Sequence, residues 1–220
     1  MISTTVIASL IMQCSGGGVA PDTLQNIIQV ESGGNPFAIA DVTAKKSHYP
    51  PTLEAARQRS NALSQDGHNY SAGLMQVNSA NFSGYGLTPD TVFDPCKNIA
   101  AGTAILKQCW LRAEAFSSPV DRLKATLSCY YSGNFTRGLM KKNGEKISYV
   151  DLITQTRPPP EAVQVPSIQI LTPAPGTHDI SPDLPAVPDN APGKKNALSK
   201  PFFTGADGDM PAWDVFSTPS

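Results

Sequence analysis

Pro21-Asp-Thr-Leu-Gln-Asn-Ile-Ile-Gln-Val-Glu-Ser-Gly-Gly-Asn-Pro36 holds a helix, its stop signal and an acid in one continuous run. Leu24, Ile27, Ile28 and Glu31 fall at i, i+3, i+4 and i+7. At about 3.6 residues per turn this spacing puts the carboxylate on the apolar stripe of the helix, facing inward. Pro21 suits the first helical position, and Asp22 complements the positive end of the helix dipole. Gly33-Gly34 followed by Pro36 ends the helix just past the glutamate. Glu31 is therefore expected to be the least hydrated acid of the chain. Burial penalises the charged form and raises the pKa, and an acid still protonated near neutrality can act as a general acid. The helix alone also permits a plainer arrangement, a partly exposed glutamate in the last turn before a glycine cap.

A chain of 220 residues with formal net charge −1 and a pI near 6.3 can form one domain with a full core, and its charge gives no reason to expect nucleic acid or an anionic membrane as partner. Thirteen of the 20 prolines lie between Pro158 and Pro219. That shift in composition divides the chain near Arg157 into a globular part, residues 21–156, and a Pro-rich tail, residues 157–220, expected to be disordered. Residues 1–20 contain no Lys or Arg, and Ser9 interrupts the apolar run Val6–Met12, so they make only a weak candidate signal peptide. No other run approaches the roughly 20 apolar residues of a membrane span.

Cys14, Cys96, Cys109 and Cys129 all lie before the tail, without Cys-x-x-Cys spacing or paired histidines. No metal site and no cofactor are expected from them. Two disulfides in an oxidising compartment is the favoured reading; four buried thiols in a cytosolic protein is the other. If Ile99–Ala115 is one helix, Cys96 and Cys109 are about 20 Å apart, too far to bridge. Cys96 then pairs with Cys14 or Cys129, and Cys14 is preferred.

Asn35–Pro51 reads as loop, with Asp41 in it. Thr52 caps a peripheral amphipathic helix from Leu53 to about Leu63. Leu74, Gln76 and Asn78 alternate with Met75 and Val77, which predicts a short extended segment. Its Ser71, Gln76 and Asn78 supply neutral donors and acceptors suited to an uncharged sugar or amide. Asn98 is expected to cap a strong helix in which Trp110 is a core residue. Ser118-Pro119 starts the next helix, with Val120, Leu123, Leu127 and Tyr130 on one inward face. A last helix near Ile147–Gln155 turns Ile147, Val150 and Ile153 inward. The three histidines fall in loops or tail, where solvated roles are expected. The domain is thus mainly α, with one short extended element.

Glu31-Ser-Gly-Gly-Asn-Pro36, Ser71-Ala-Gly-Leu-Met-Gln76 and Cys129-Tyr-Tyr-Ser-Gly133, in that order, resemble the soluble lytic transglycosylase family with its lysozyme-like fold. Phe93-Asp-Pro-Cys-Lys-Asn-Ile99 resembles most closely the members attached to type IV secretion and conjugation systems. The resemblance covers residues 14–155 and none of the tail. It implies that Glu31 is the catalytic acid, with Ser32, Ser71, Gln76 and Tyr130 along the cleft; Met75 and Asn78, on the same extended segment, are also expected to bind substrate. Within the family's Ala-Tyr-Asn-Ala-Gly signature this chain has Cys129, Tyr131 and Ser132 in place of Ala, Asn and Ala, so only Tyr130 is carried over. The family cleaves peptidoglycan between N-acetylmuramic acid and N-acetylglucosamine, which implies an exported, periplasmic protein working for an envelope-spanning machine. A hydrolytic muramidase of the same fold, needing a second carboxylate, and a non-catalytic peptidoglycan-binding assembly factor are the alternatives. The tail, with Phe202, Phe203, Trp213 and Phe216 among Asp207, Asp209 and Asp214, is expected to dock on the secretion or conjugation components.

Overall fold

In the computed structural model the described residues are 1–141 and 146–155, and the tail lies outside them. Six α-helices surround a small sheet: α1 (Thr4–Cys14), α2 (Pro21–Ser32), α3 (Leu53–Gln65), α4 (Pro95–Arg112), α5 (Pro119–Ser132) and α6 (Tyr149–Gln155). The mainly α, lysozyme-like architecture is as expected. None of the described helices is long and apolar enough to cross a membrane.

Helix α2 forms as its sequence dictates. Pro21 opens it, and Gly33, at φ 60°, closes it with its N–H on the Gln29 carbonyl. Leu24, Ile27 and Ile28 are fully buried, each contributing about 1.5–3 kcal/mol of apolar burial. Ser118 caps α5 through the Asp121 N–H, and Thr52 caps α3 through the Ala55 N–H.

Within residues 1–20, the weak candidate signal peptide, Thr4–Cys14 form α1. Its Ile7 and Ile11 are buried in the core, and it packs on α2 and α4. The Ile2 N–H donates to the Gly34 carbonyl at 2.9 Å, just after the α2 cap. Gly34 takes φ 76°, a left-handed conformation that favours glycine, and a Cβ there would stand 2.9 Å from Ile7 Cδ1 of α1. Cys14 at the end of α1 bonds Cys96 at the start of α4 (Cα–Cα 5.0 Å), and Cys109 on α4 bonds Cys129 on α5 (5.7 Å).

Several local expectations are corrected. Asn35–Pro51 is not all loop: β1 (Ile39–Asp41) and β2 (Lys46–His48) form a hairpin too short for any periodicity to show. With β3 (Tyr70–Ala72) and β4 (Val77–Asn78) they make an antiparallel sheet in the order β2-β1-β3-β4. The expected continuous extended run breaks at residues 73–76, where Gly73 and Gln76 take φ 83° and 46°. Asp94, with Pro95 behind it, caps α4 instead of Asn98. Trp110 is 39% exposed under the Arg122 guanidinium, 4.2 Å from its ring centroid. Val120 and Leu123 are also exposed, because the inward face of α5 is carried by Leu127, Tyr130 and Tyr131. Ile147 is only partly buried, whereas Val150 and Ile153 are buried as expected. His68 is paired, its Nδ1 2.9 Å from Asp41 Oδ2, and Asp41 is a buried residue of β1.

Candidate active site

Glu31 lies one residue from the end of α2 with 5% of its surface exposed. The Tyr149 hydroxyl, on the first residue of α6, donates to its Oε1 at 2.5 Å. Helix α6 packs on both α2 and α5, and Asn26 Nδ2 donates to the Ile153 carbonyl across the α2–α6 seam. The Glu31 pKa is raised to about 8, chiefly by burial, with the Tyr149 hydrogen bond pulling the other way. Glu31 is therefore protonated at neutral pH. Oε1 already accepts from Tyr149, which leaves Oε2 to carry the transferable proton. Burial, reinforced by the charge on Glu31, lifts the pKa of Tyr149 and of Tyr130 well above the usual value, so both phenols stay donors.

The turn between β3 and β4 is held from three helices. From α2, the Ser32 hydroxyl donates to the Leu74 carbonyl at 2.8 Å. From α5, the Tyr130 hydroxyl donates to the Met75 carbonyl at 2.7 Å. From α4, Asn98 Oδ1 accepts the Met75 N–H at 2.7 Å, while its Nδ2 donates to the carbonyls of Ala72 and Val92. These contacts demand small residues nearby. A Cβ on Gly73 would stand 2.2 Å from Asn98 Nδ2, and one on Gly102 would stand 2.6 Å from the Met75 sulfur. Gln76 turns its Nε2 onto the Ala38 and Gly73 carbonyls, while its buried Oε1 has no hydrogen-bond partner among the described residues.

Of the residues expected along the cleft, Ser32, Met75, Gln76 and Tyr130 thus meet at this turn. Ser71 and Asn78 face each other across the β3–β4 ladder. Asn78 Nδ2 donates to Asn69 Oδ1 and to the Ser71 hydroxyl, and Asn78 Oδ1 accepts from the Ala80 N–H, so these side chains bond within the sheet. Two residues were missed. Local pattern makes Asn98 a cap, whereas its buried carboxamide knits α4 to the turn. Tyr149 has no motif to single it out, and only its place one turn before Ile153 and beside Val150 marks it as inward.

This arrangement, a buried glutamate at a helix end beside a short antiparallel sheet in a mainly helical chain, defines a lysozyme-like domain. Residues 10–149 match the Transglycosylase SLT domain, and the chain belongs to that family; the matched span closes on Tyr149. The chain is 42% identical over 146 residues to the type IV secretion system protein virB1 of Brucella abortus biovar 1 (strain 9-941) and of Brucella suis biovar 1 (strain 1330), an alignment covering 66% of this chain and 60% of each relative. It is 36% identical over 121 residues to protein virB1 of Agrobacterium tumefaciens (strain 15955), covering 54% of this chain and 50% of that one. The chain thus matches less than two thirds of the length of these relatives.

Proposed function

We propose that this protein is a peptidoglycan lytic transglycosylase. It cleaves the β-1,4 bond between N-acetylmuramic acid and N-acetylglucosamine, and it opens the wall locally for a type IV secretion or conjugation apparatus. The observation that carries the reading is Glu31, buried, protonated at neutral pH and held by Tyr149. In this reading Glu31 protonates the glycosidic oxygen while the substrate's own acetamido group stabilises the anomeric carbon. Then, as carboxylate, it takes the proton of the muramoyl C6 hydroxyl, which closes the 1,6-anhydro ring. One carboxyl suffices for both steps. Asp41, the next acid downstream, is engaged with His68 Nδ1 and the Ala44 N–H, which gives the hydrolytic alternative no support. Membership of the family and likeness to type IV secretion proteins support a periplasmic place of work, with the wall's glycan strands as substrate.

Glu31→Gln tests the reading, since it keeps size and hydrogen bonding but removes the transferable proton. Cleavage of purified peptidoglycan is expected to fall by about 10²–10⁴-fold with native circular dichroism retained. Turnover near the wild-type rate would overturn the assignment.

A further inference from the structure

Tyr131, one residue past Tyr130 on α5, is 7% exposed. Its ring lies against that of Tyr149, with centroids 4.4 Å apart and planes 19° from parallel. Tyr149 opens the seven-residue helix α6, and an isolated helix that short is not stable in water. Its orientation therefore depends on what packs against it. The phenol hydroxyl sits at the far end of a long rigid side chain, so a small tilt at χ1 carries it out of hydrogen-bond range of Glu31. A ring stacked on the Tyr149 face opposes that tilt. The neighbouring Tyr130 serves a different contact, its hydroxyl holding the Met75 carbonyl. Successive positions on α5 thus serve the turn and the acid separately. The asparagine that stands at this place in the family signature has no ring with which to do this.

We propose that Tyr131 is a positioning residue for Glu31, acting through Tyr149: its stacked ring keeps the Tyr149 hydroxyl on Glu31 Oε1. The proposal rests on the reading of Glu31 as the cleaving acid. The titratable group acting on Glu31 is Tyr149 from α6; the charge on Glu31 acts in turn on Tyr130 from α5, and Tyr130 and Tyr131 act on Tyr149. Because the Tyr149 hydrogen bond lowers the Glu31 pKa, loss of that bond raises it.

The test is a pH titration of the full chain labelled with ¹³C at glutamate carboxyls. The Glu31 resonance is identified by its disappearance in Glu31→Gln. Tyr149→Phe is expected to move the Glu31 midpoint upward. Tyr131→Leu and Tyr131→Asn, which remove the ring, should move it the same way, whereas Tyr131→Phe should leave it in place. Tyr131→Leu added to Tyr149→Phe should produce no further shift. An unmoved midpoint in the ringless variants, or in Tyr149→Phe, overturns the proposal. So does loss of the fold in both ringless variants, which would make Tyr131 a general core residue. The titration needs no turnover: a wild-type protein that fails to cleave peptidoglycan refutes the proposed activity, whereas an active one with an unmoved midpoint refutes only the role of Tyr131.

Discussion

The Tyr149 hydroxyl reaches Oε1 of Glu31 across 118 residues of sequence, at 2.5 Å. Two opposed effects meet in that contact. Burial disfavours the carboxylate and the hydrogen bond favours it, and burial prevails, because the pKa settles at about 8 instead of 4.5. A carboxylic acid in this state can give up a proton at neutral pH and later, as carboxylate, take one back.

That shift makes stability depend on pH with a definite sign. Below about 4.5 Glu31 is protonated folded or unfolded, and its contribution to stability is fully present. Between about 4.5 and 8 the folded state holds a proton that the unfolded chain releases, so the contribution is lost as pH rises, at about 1.4 kcal/mol per pH unit, on the order of 5 kcal/mol in all. Glu31→Gln removes the titration. Urea unfolding at pH 5, 6.5 and 8 should show the variant gaining on the wild type step by step. Parallel stability curves would mean that Glu31 is hydrated.

The clamp on the β3–β4 turn should be visible in two substitutions of different cost. Asn98→Ala strips partners from Met75 N–H and the Ala72 and Val92 carbonyls. At about 1–3 kcal/mol for each buried group left unsatisfied, the loss should exceed about 3 kcal/mol. Tyr130→Phe frees only the Met75 carbonyl and should cost about 1–3 kcal/mol. It should lower cleavage further than its effect on melting temperature accounts for, since the turn carries Gln76. Denaturant unfolding paired with peptidoglycan turnover measures both; small and equal effects from Tyr130→Phe would reduce it to a packing residue.

Much of this was legible from short-range pattern. The i, i+3, i+4, i+7 stripe placed Glu31 inside, and Ser118-Pro119 and Thr52 marked true helix starts, because capping is decided within four residues. What failed depended on contacts between distant segments. Asn98 is a good local cap, yet the fold uses its carboxamide on the turn, while Asp94-Pro95 carried the true start. The β1–β2 hairpin pairs three residues with three, too few for alternation to register. Val120 and Leu123 followed the helical period but sit beyond the edge of the α5 contact with the core. Tyr149 belongs to a short helix whose importance appears only when α6 is laid against α2.

The disulfides should differ in worth according to the loops they close. Cys14–Cys96 spans 82 residues and Cys109–Cys129 spans 20. Loop-closure entropy gives about 4.5 and 3.3 kcal/mol respectively. Cys14→Ser with Cys96→Ser should therefore cost more than Cys109→Ser with Cys129→Ser, as read from urea midpoints. Denatured, unreduced wild-type protein should show no free thiol. The reverse order of midpoints would mean that native contacts of α1 outweigh chain entropy.

The tail lies outside the described residues, and its proposed role is tested by removal. Deleting residues 198–220 should leave cleavage of purified peptidoglycan intact and weaken co-purification with the secretion or conjugation apparatus. Unchanged co-purification, or lost cleavage, would count against a separate docking segment.

The most direct test of the central claim is the mass of the glycan ends made by the wild-type protein from purified peptidoglycan. Ring closure by the C6 hydroxyl leaves a 1,6-anhydro-muramoyl end, lighter by one water than a hydrolysed end, and digestion in H₂¹⁸O should put no label into it. Anhydro ends without ¹⁸O, absent from the Glu31→Gln digest, are the expected result. Reducing ends carrying ¹⁸O, or no product at all from the wild type, would contradict it.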